Sequence, residues 1–142
     1  MNKETIIRPA KLSDCAACQR LGRVPEIAIA PKWYLPLAYY QRIVRGKSIF
    51  LVAEVNKKIV GFVIAEKIEA GYLAQYIVVN KKYRQEGIGL GLARAMETEA
   101  KKRSAYFLLG YAVVKSLPMQ KMLKKLGWHR GQATIEWSKG LS

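Results

Sequence analysis

"NKKYRQEGIGLGLARAME", residues 80–97, joins a stretch that reads as a β-strand to one that reads as an α-helix, with Gly87, Gly89 and Gly91 at the junction. Glycine has no Cβ, so backbone N–H groups there can turn toward a ligand, and the helix opening behind them adds the positive end of its dipole. A strand, a glycine loop and a helix in that order make anion-binding geometry. Three versions of it compete for this chain.

The nucleotide loop G-x-x-x-x-G-K-[ST] surfaces at Gly46-Lys47-Ser48, but the position five before Gly46 is Gln41, and a strand follows where a helix is required. The dinucleotide fingerprint G-x-G-x-x-G begins at Gly87 and Gly89 and fails at Leu92, where the third glycine belongs. No Asp or Glu lies between Glu99 and Glu136 to hold a ribose. What remains is Arg84-Gln85-Glu86-Gly87-Ile88-Gly89, an R-x-x-G-x-G run directly after "YIVVNKKY".

Working outward, "TIIR" (5–8) predicts a short strand, and Ser13 or Asp14 can cap a first helix running to about Leu21. Residues 31–45, "PKWYLPLAYYQRIVR", set aromatic and basic side chains around two prolines and predict a short or broken helix. "SIFLVAEV" (48–55) and "KIVGFVIAEKI" (58–68) flank Asn56 and Lys57, which predicts a hairpin, and "GYLAQYIVV" (71–79) predicts the next strand. Residues 88–103 fit a helix with Ile88, Leu92, Ala95 and Met96 on one side. A strand over 105–114, a helix over 116–127 ended by Gly127, and a last strand over 133–138 ("ATIEWS") complete the order. Antiparallel hairpins combined with a strand–helix–strand crossover predict an α/β fold, a mixed sheet with helices on both faces. A chain of 142 residues at 51% hydrophobic suits one domain, residues 1–142.

Lys and Arg number 25 against 10 Asp and Glu, a formal charge of +15 that concentrates polyanions at the surface. The basic residues are spread along the chain rather than gathered in a tail. Neither a cleavable leader nor an apolar run of bilayer length is present, so a soluble cytoplasmic protein with no membrane partner is expected. Cys15 and Cys18 share one helical face and are expected to pack as small apolar residues, since a zinc site needs more ligands than these two and the lone His129. His129, beside Arg130, is expected at the surface, and no metal site is expected.

The R-x-x-G-x-G run, Tyr83 before it, the apolar strand and following helix around it, and "LKKLGW" later in the chain together resemble the GNAT family of N-acetyltransferases, whose signature is [QR]-x-x-G-x-[GA] between the fourth strand and the next helix. By order of elements the resemblance extends from "IIRPAKLSD" to the final strand. It implies a single-domain fold whose fourth and fifth strands splay apart, with acetyl-CoA as acyl donor. Its diphosphate would rest on the backbone of Arg84, Gln85, Glu86, Gly87, Ile88, Gly89 and Leu90, and its pantetheine arm would pair with Ile77, Val78 and Val79. Lys81, Lys82, Arg84 and Lys124 offer charge near the phosphates. Ser116 heads a helix where the family often has asparagine and is grouped with the cofactor residues.

The resemblance also implies direct transfer of the acetyl group to a primary amine of a small molecule or peptide, without an acyl-enzyme. Such transfer needs a neutral amine, a stabilised oxyanion and a proton for the departing thiolate. The oxyanion donor falls at the Val79 or Val78 N–H. Where many members carry a strand carboxylate, this chain has Gln75 and Tyr76, so Glu66 or Glu69 becomes the candidate base. The family's helix tyrosine is missing, and Tyr111 is the nearest substitute. Trp33, Tyr34, Tyr39 and Tyr40 fall in the variable acceptor-binding segment. Two other classes stand beside this reading: an acetyl-CoA-binding module with weak catalysis, and a basic nucleic-acid-binding protein, for which no recognition motif is present. A homodimer is among the expected assemblies. The high positive charge favours a neutral or acidic acceptor over a polycation.

Overall fold

A computed structural model of the chain describes residues 4–25, 33–112 and 115–141. These fall into two compact units, one ending at Gly110 and one beginning at Tyr111. In the first unit the chain forms β1 (Thr5–Pro9), α1 (Cys15–Leu21), α2 (Leu37–Arg45), β2 (Ile49–Val55), β3 (Lys58–Ile68), β4 (Gly71–Val79), α3 (Ile88–Lys102) and β5 (Phe107–Gly110). The second contains α4 (Leu117–Lys125).

The first unit is a five-stranded sheet in the order β1-β2-β3-β4-β5, antiparallel except for the parallel β4–β5 pair that α3 connects. The predicted hairpin is present: Asn56 and Lys57 both take left-handed φ values, 48° and 63°, as the tight turns matching strand twist require. This turn puts Phe50 opposite Ile64 and Val52 opposite Phe62. Those four side chains form one buried cluster with Tyr40 and Ile43 of α2, Cys15 and Cys18 of α1, and Val78 of β4. The opposite face of the sheet is covered by α3, whose Leu92 approaches β3 at Gly61. Covering both faces explains why β2 from Ile49 to Ala53 and the middle of β3 are apolar and buried without interruption.

The Cys15 and Cys18 thiols are free and buried at 1% and 0% exposure, as the helical spacing predicts. The first helix starts differently from expectation. Asp14 precedes α1, yet its carboxylate accepts from the Lys11 N–H at 2.8 Å, closing a short 3-10 turn over Leu12–Asp14, and makes no cap bond to the helix. The same carboxylate takes two bonds from the Arg8 guanidinium, 2.8 and 3.1 Å, and Arg8 reaches on to Glu54 at 3.2 Å. One arginine thus ties β1, the turn and β2 together.

In the second unit, α4 ends in a Schellman motif: the Gly127 N–H donates to Lys124 O at 3.0 Å and the Trp128 N–H to Leu123 O at 2.9 Å, with Gly127 at φ 86°. The predicted strand over 133–138 is not formed. Residues 131–141 carry no helix or strand and are exposed throughout, with Ile135 at 82% and Trp137 at 90%. Strand propensity is realised only against a neighbouring strand, and among the described residues none pairs with this segment. The fifth strand is also shorter than the predicted 105–114, ending at Gly110; residues 113–114 lie outside the described residues.

Candidate active site

β4 pairs with β5 only from Gly71–Phe107 to Ala74–Gly110. On its other side β4 continues beside β3 as far as the Val79–Gly61 pair. Residues 77–79 therefore present, on the β5 side, backbone groups that no described strand of this sheet takes up. The cause lies in β4 itself. Ile64 pairs with Tyr76 and Ala65 with Ala74, so Gln75 is an extra residue, a β-bulge. A bulge bends its strand and increases the local twist. The bend falls at the residue where β5 leaves.

Beyond the free edge the chain enters the glycine loop. The Asn80 carboxamide accepts from the Lys82 N–H at 3.0 Å, which turns the chain through a 3-10 segment over Lys81–Tyr83. Gln85 and Gly87 take left-handed φ values of 66° and 82°, and α3 opens at Ile88. The first intrahelical bond runs from the Gly91 N–H to Gly87 O at 2.9 Å. The N–H groups of Ile88, Gly89 and Leu90 precede it and have no carbonyl within the helix, while the dipole adds positive charge at the same spot. A Cβ built on Gly89 would meet nothing nearer than Val79 Cγ2 at 3.8 Å, so the mouth of the helix is open beside the end of β4. Arg84 Nε donates to Val79 O at 3.0 Å, fastening loop to strand. Free edge and helix mouth thus adjoin, and the side chains of Lys81, Lys82, Arg84, Gln85 and Glu86 are exposed around them. An extended, amide-bearing arm ending in a diphosphate fits this pair of features.

Glu66 lies on β3 opposite Leu73 and is half-buried. Both of its carboxylate oxygens are engaged by residues from other elements. Tyr39 Oη of α2 donates to Oε1 at 3.2 Å, and Gln75 Nε2, at the bulge, donates to Oε2 at 3.0 Å. The Tyr39 ring stands edge-on to those of Tyr40 and Tyr76, at centroid distances of 5.4 and 6.2 Å. The Arg42 guanidinium lies 5.7 Å from its centroid. Burial pushes the Tyr39 phenol well above the ordinary tyrosine range, and the Glu66 charge adds to the effect.

Of the sequence-predicted residues, Glu66 and Gln75 are therefore brought together, beside the start of the free edge that carries Ile77, Val78 and Val79. Glu69 sits in the exposed turn after β3. Tyr111 lies one residue past β5, outside the strand that was expected to hold it, and is 69% exposed. Ser116 precedes α4 but makes no side-chain cap bond; Pro118 in the first turn sets the helix start. His129 is exposed, as expected. The aromatic segment divides: Tyr40 is core at 0% exposure, Tyr39 faces Glu66, and Trp33 and Tyr34 are exposed. The bond from Tyr39 to Glu66 and the bulge at Gln75 had no local sequence signal. No helix among the described residues is long and apolar enough to cross a membrane.

Compared with known proteins, the chain matches the family model described as an acetyltransferase (GNAT) domain over residues 46–130. Among solved structures, the ribosomal-protein-S18-alanine N-acetyltransferase from Escherichia coli aligns with a TM-score of 0.77 at 16% identity, covering 90% of this chain and 79% of that one. The aminoglycoside 6'-N-acetyltransferase AAC(6')-Ih from Acinetobacter baumannii aligns at 0.73 and 17% identity, covering 97% of this chain and 99% of that one. AAC(6')-Iy, solved with the bisubstrate analogue CoA-S-monomethyl-acetylneamine, aligns at 0.76 and 16% identity, covering 96% and 99%. No curated protein sequence matches the chain.

Proposed function

Because the chain belongs to the GNAT acetyltransferase family, we propose that it moves an acetyl group from acetyl-CoA directly to a primary amine, with residues 1–142 acting as one such domain. The observation that carries this reading is the end of β4–β5 pairing at Ala74–Gly110 beside a helix that opens at left-handed Gly87. The thioester supplies an acetyl carbonyl already activated toward amines. In this reading the N–H groups from about Arg84 to Leu90 receive the diphosphate, and the Ile77–Val79 edge pairs with the amides of the arm.

The N–H of Val79 or Val78 donates to the carbonyl oxygen as negative charge builds on it, a contact that strengthens toward the transition state. Glu66 takes one proton from the acceptor ammonium. The freed nitrogen lone pair forms the C–N bond as the C–S bond breaks. The nitrogen's second surplus proton leaves to solvent, and the thiolate takes up a proton from solvent. Gln75, which occupies the strand position where a carboxylate is common in the family, serves by orienting Glu66.

For the acceptor, a formal charge of +15 disfavours polycations such as the aminoglycosides taken by some of the structural neighbours. It favours a peptide N-terminus, as in the ribosomal-protein acetyltransferases, or an amine flanked by acidic groups. Native mass spectrometry with acetyl-CoA, followed by thiol release with a panel of peptides and small amines, tests the reading. One bound coenzyme and amine-dependent release support it; no binding of any CoA thioester overturns it.

A further inference from the structure

A base works only if its lone pair is aimed, and β3 alone does not aim Glu66. The groups that reach its carboxylate come from α2 and from the bulge: Tyr39 Oη at 3.2 Å and Gln75 Nε2 at 3.0 Å, one on each oxygen. Resting on the transferase reading above, we propose that Tyr39 is a positioning residue that, together with Gln75, fixes the Glu66 carboxylate at the mouth opened where β5 leaves β4.

Three features of Tyr39 support the assignment. Its ring is held on several sides, by Tyr40, by Tyr76 and by the Arg42 guanidinium. Its helix is anchored, because Tyr40 and Ile43 are buried in the cluster against β2 and β3. Its phenol stays protonated across the working range, since burial and the neighbouring carboxylate both disfavour the phenolate. Tyr39 is thus a permanent donor rather than a titrating acid. A carboxylate offers about four acceptor positions; among the described residues two of them are taken, by Tyr39 and Gln75, which leaves others for the acceptor ammonium. The bulge completes the arrangement, because Gln75, unpaired with β3, can turn its amide to Glu66.

Steady-state kinetics on Tyr39→Phe, Gln75→Ala, Glu66→Gln and the Tyr39→Phe/Glu66→Gln double variant test this, together with a crystal structure of Tyr39→Phe. Tyr39→Phe and Gln75→Ala are each expected to lower kcat about tenfold, with the KM for acetyl-CoA unchanged. Adding Tyr39→Phe to Glu66→Gln is expected to cost nothing further, because the group being positioned is already gone. In the Tyr39→Phe crystal, Glu66 is expected to spread over more than one conformer. Equal losses in both backgrounds would overturn the proposal, since a ring needed only for folding acts whatever stands at position 66. An unmoved Glu66 with wild-type kcat in Tyr39→Phe would also overturn it, leaving the transferase reading in place. A wild-type protein that releases no thiol with any amine removes the transferase reading, and the positioning role with it.

Discussion

Tyr39 and Glu66, 27 residues apart in the chain, meet across 3.2 Å, the phenol of α2 donating to the carboxylate of β3. The contact spans a helix and a strand, so the candidate base is held by tertiary packing. Replacing Glu66 by Gln keeps the shape and removes the basic oxygen. Turnover is expected to fall by about a hundredfold or more, the usual contribution of a general base. Acetyl-CoA affinity measured by calorimetry should stay at the wild-type value, because no part of the proposed coenzyme site is touched.

Gly87→Ala addresses the helix mouth. A residue with a Cβ at φ 82° is strained by about 1–2 kcal/mol, and the loop can relieve that strain only by turning. The variant should melt at lower temperature and bind CoA thioesters more weakly. Gly127→Ala, at φ 86° in the α4 cap, is the control: it should lose stability by a similar amount without the loss of coenzyme affinity.

Acid stability should depend on Asp14. Its hydrogen bonds from Arg8 hold its carboxyl below the ordinary aspartate value, against the opposing effect of burial. A carboxyl whose pKa is lower folded than unfolded contributes stability above the unfolded value, and that contribution disappears as pH falls through the folded value. Asp14→Asn is therefore expected to cost about 1–3 kcal/mol at neutral pH. It should also flatten the acid side of the stability curve, as followed by thermal melts across a pH series.

The two thiols offer a probe of core opening. Cys15 and Cys18 are buried, and burial raises both thiol pKa values, which starves them of reactive thiolate. A thiol reagent should label neither in the folded protein on the timescale of minutes and both once denaturant is added. Rapid labelling of native protein would show that α1 opens locally from the sheet.

The hairpin, β4 and α3 were readable because each is decided locally. β2 and β3 are largely apolar runs, Ile49–Ala53 and Ile59–Ala65, around a turn that only a few residue types tolerate, and Gly87 marks a left-handed position before a helix. The free edge of β4 was readable through the family resemblance rather than through any residue pattern. The Glu66 cluster was not, since it depends on the register of β3 against β4, and register belongs to two strands at once. The sequence pointed to the strand position without a carboxylate, Gln75, and to Glu66 and Glu69 of the neighbouring strand's end as substitutes, but not to the contacts from Tyr39 and Gln75 that hold Glu66. The segment 133–138 shows the converse, an alternation typical of strands in a stretch that pairs with no strand among the described residues.

The inserted residue at position 75 also sets the phase of the strand around it. Side chains on a strand switch sides at every step, so Tyr72 and Tyr76, an even number apart, would point the same way along a regular strand. Instead Tyr76 meets Tyr39 on the α2 side, while Tyr72 faces α3, its ring 5.8 Å from the Arg103 guanidinium. Deleting Gln75 would swing every side chain upstream of it to the wrong layer. A single added amino acid thus allows one strand to serve two chemically different surfaces, which makes the length of β4 at this point as consequential as its composition.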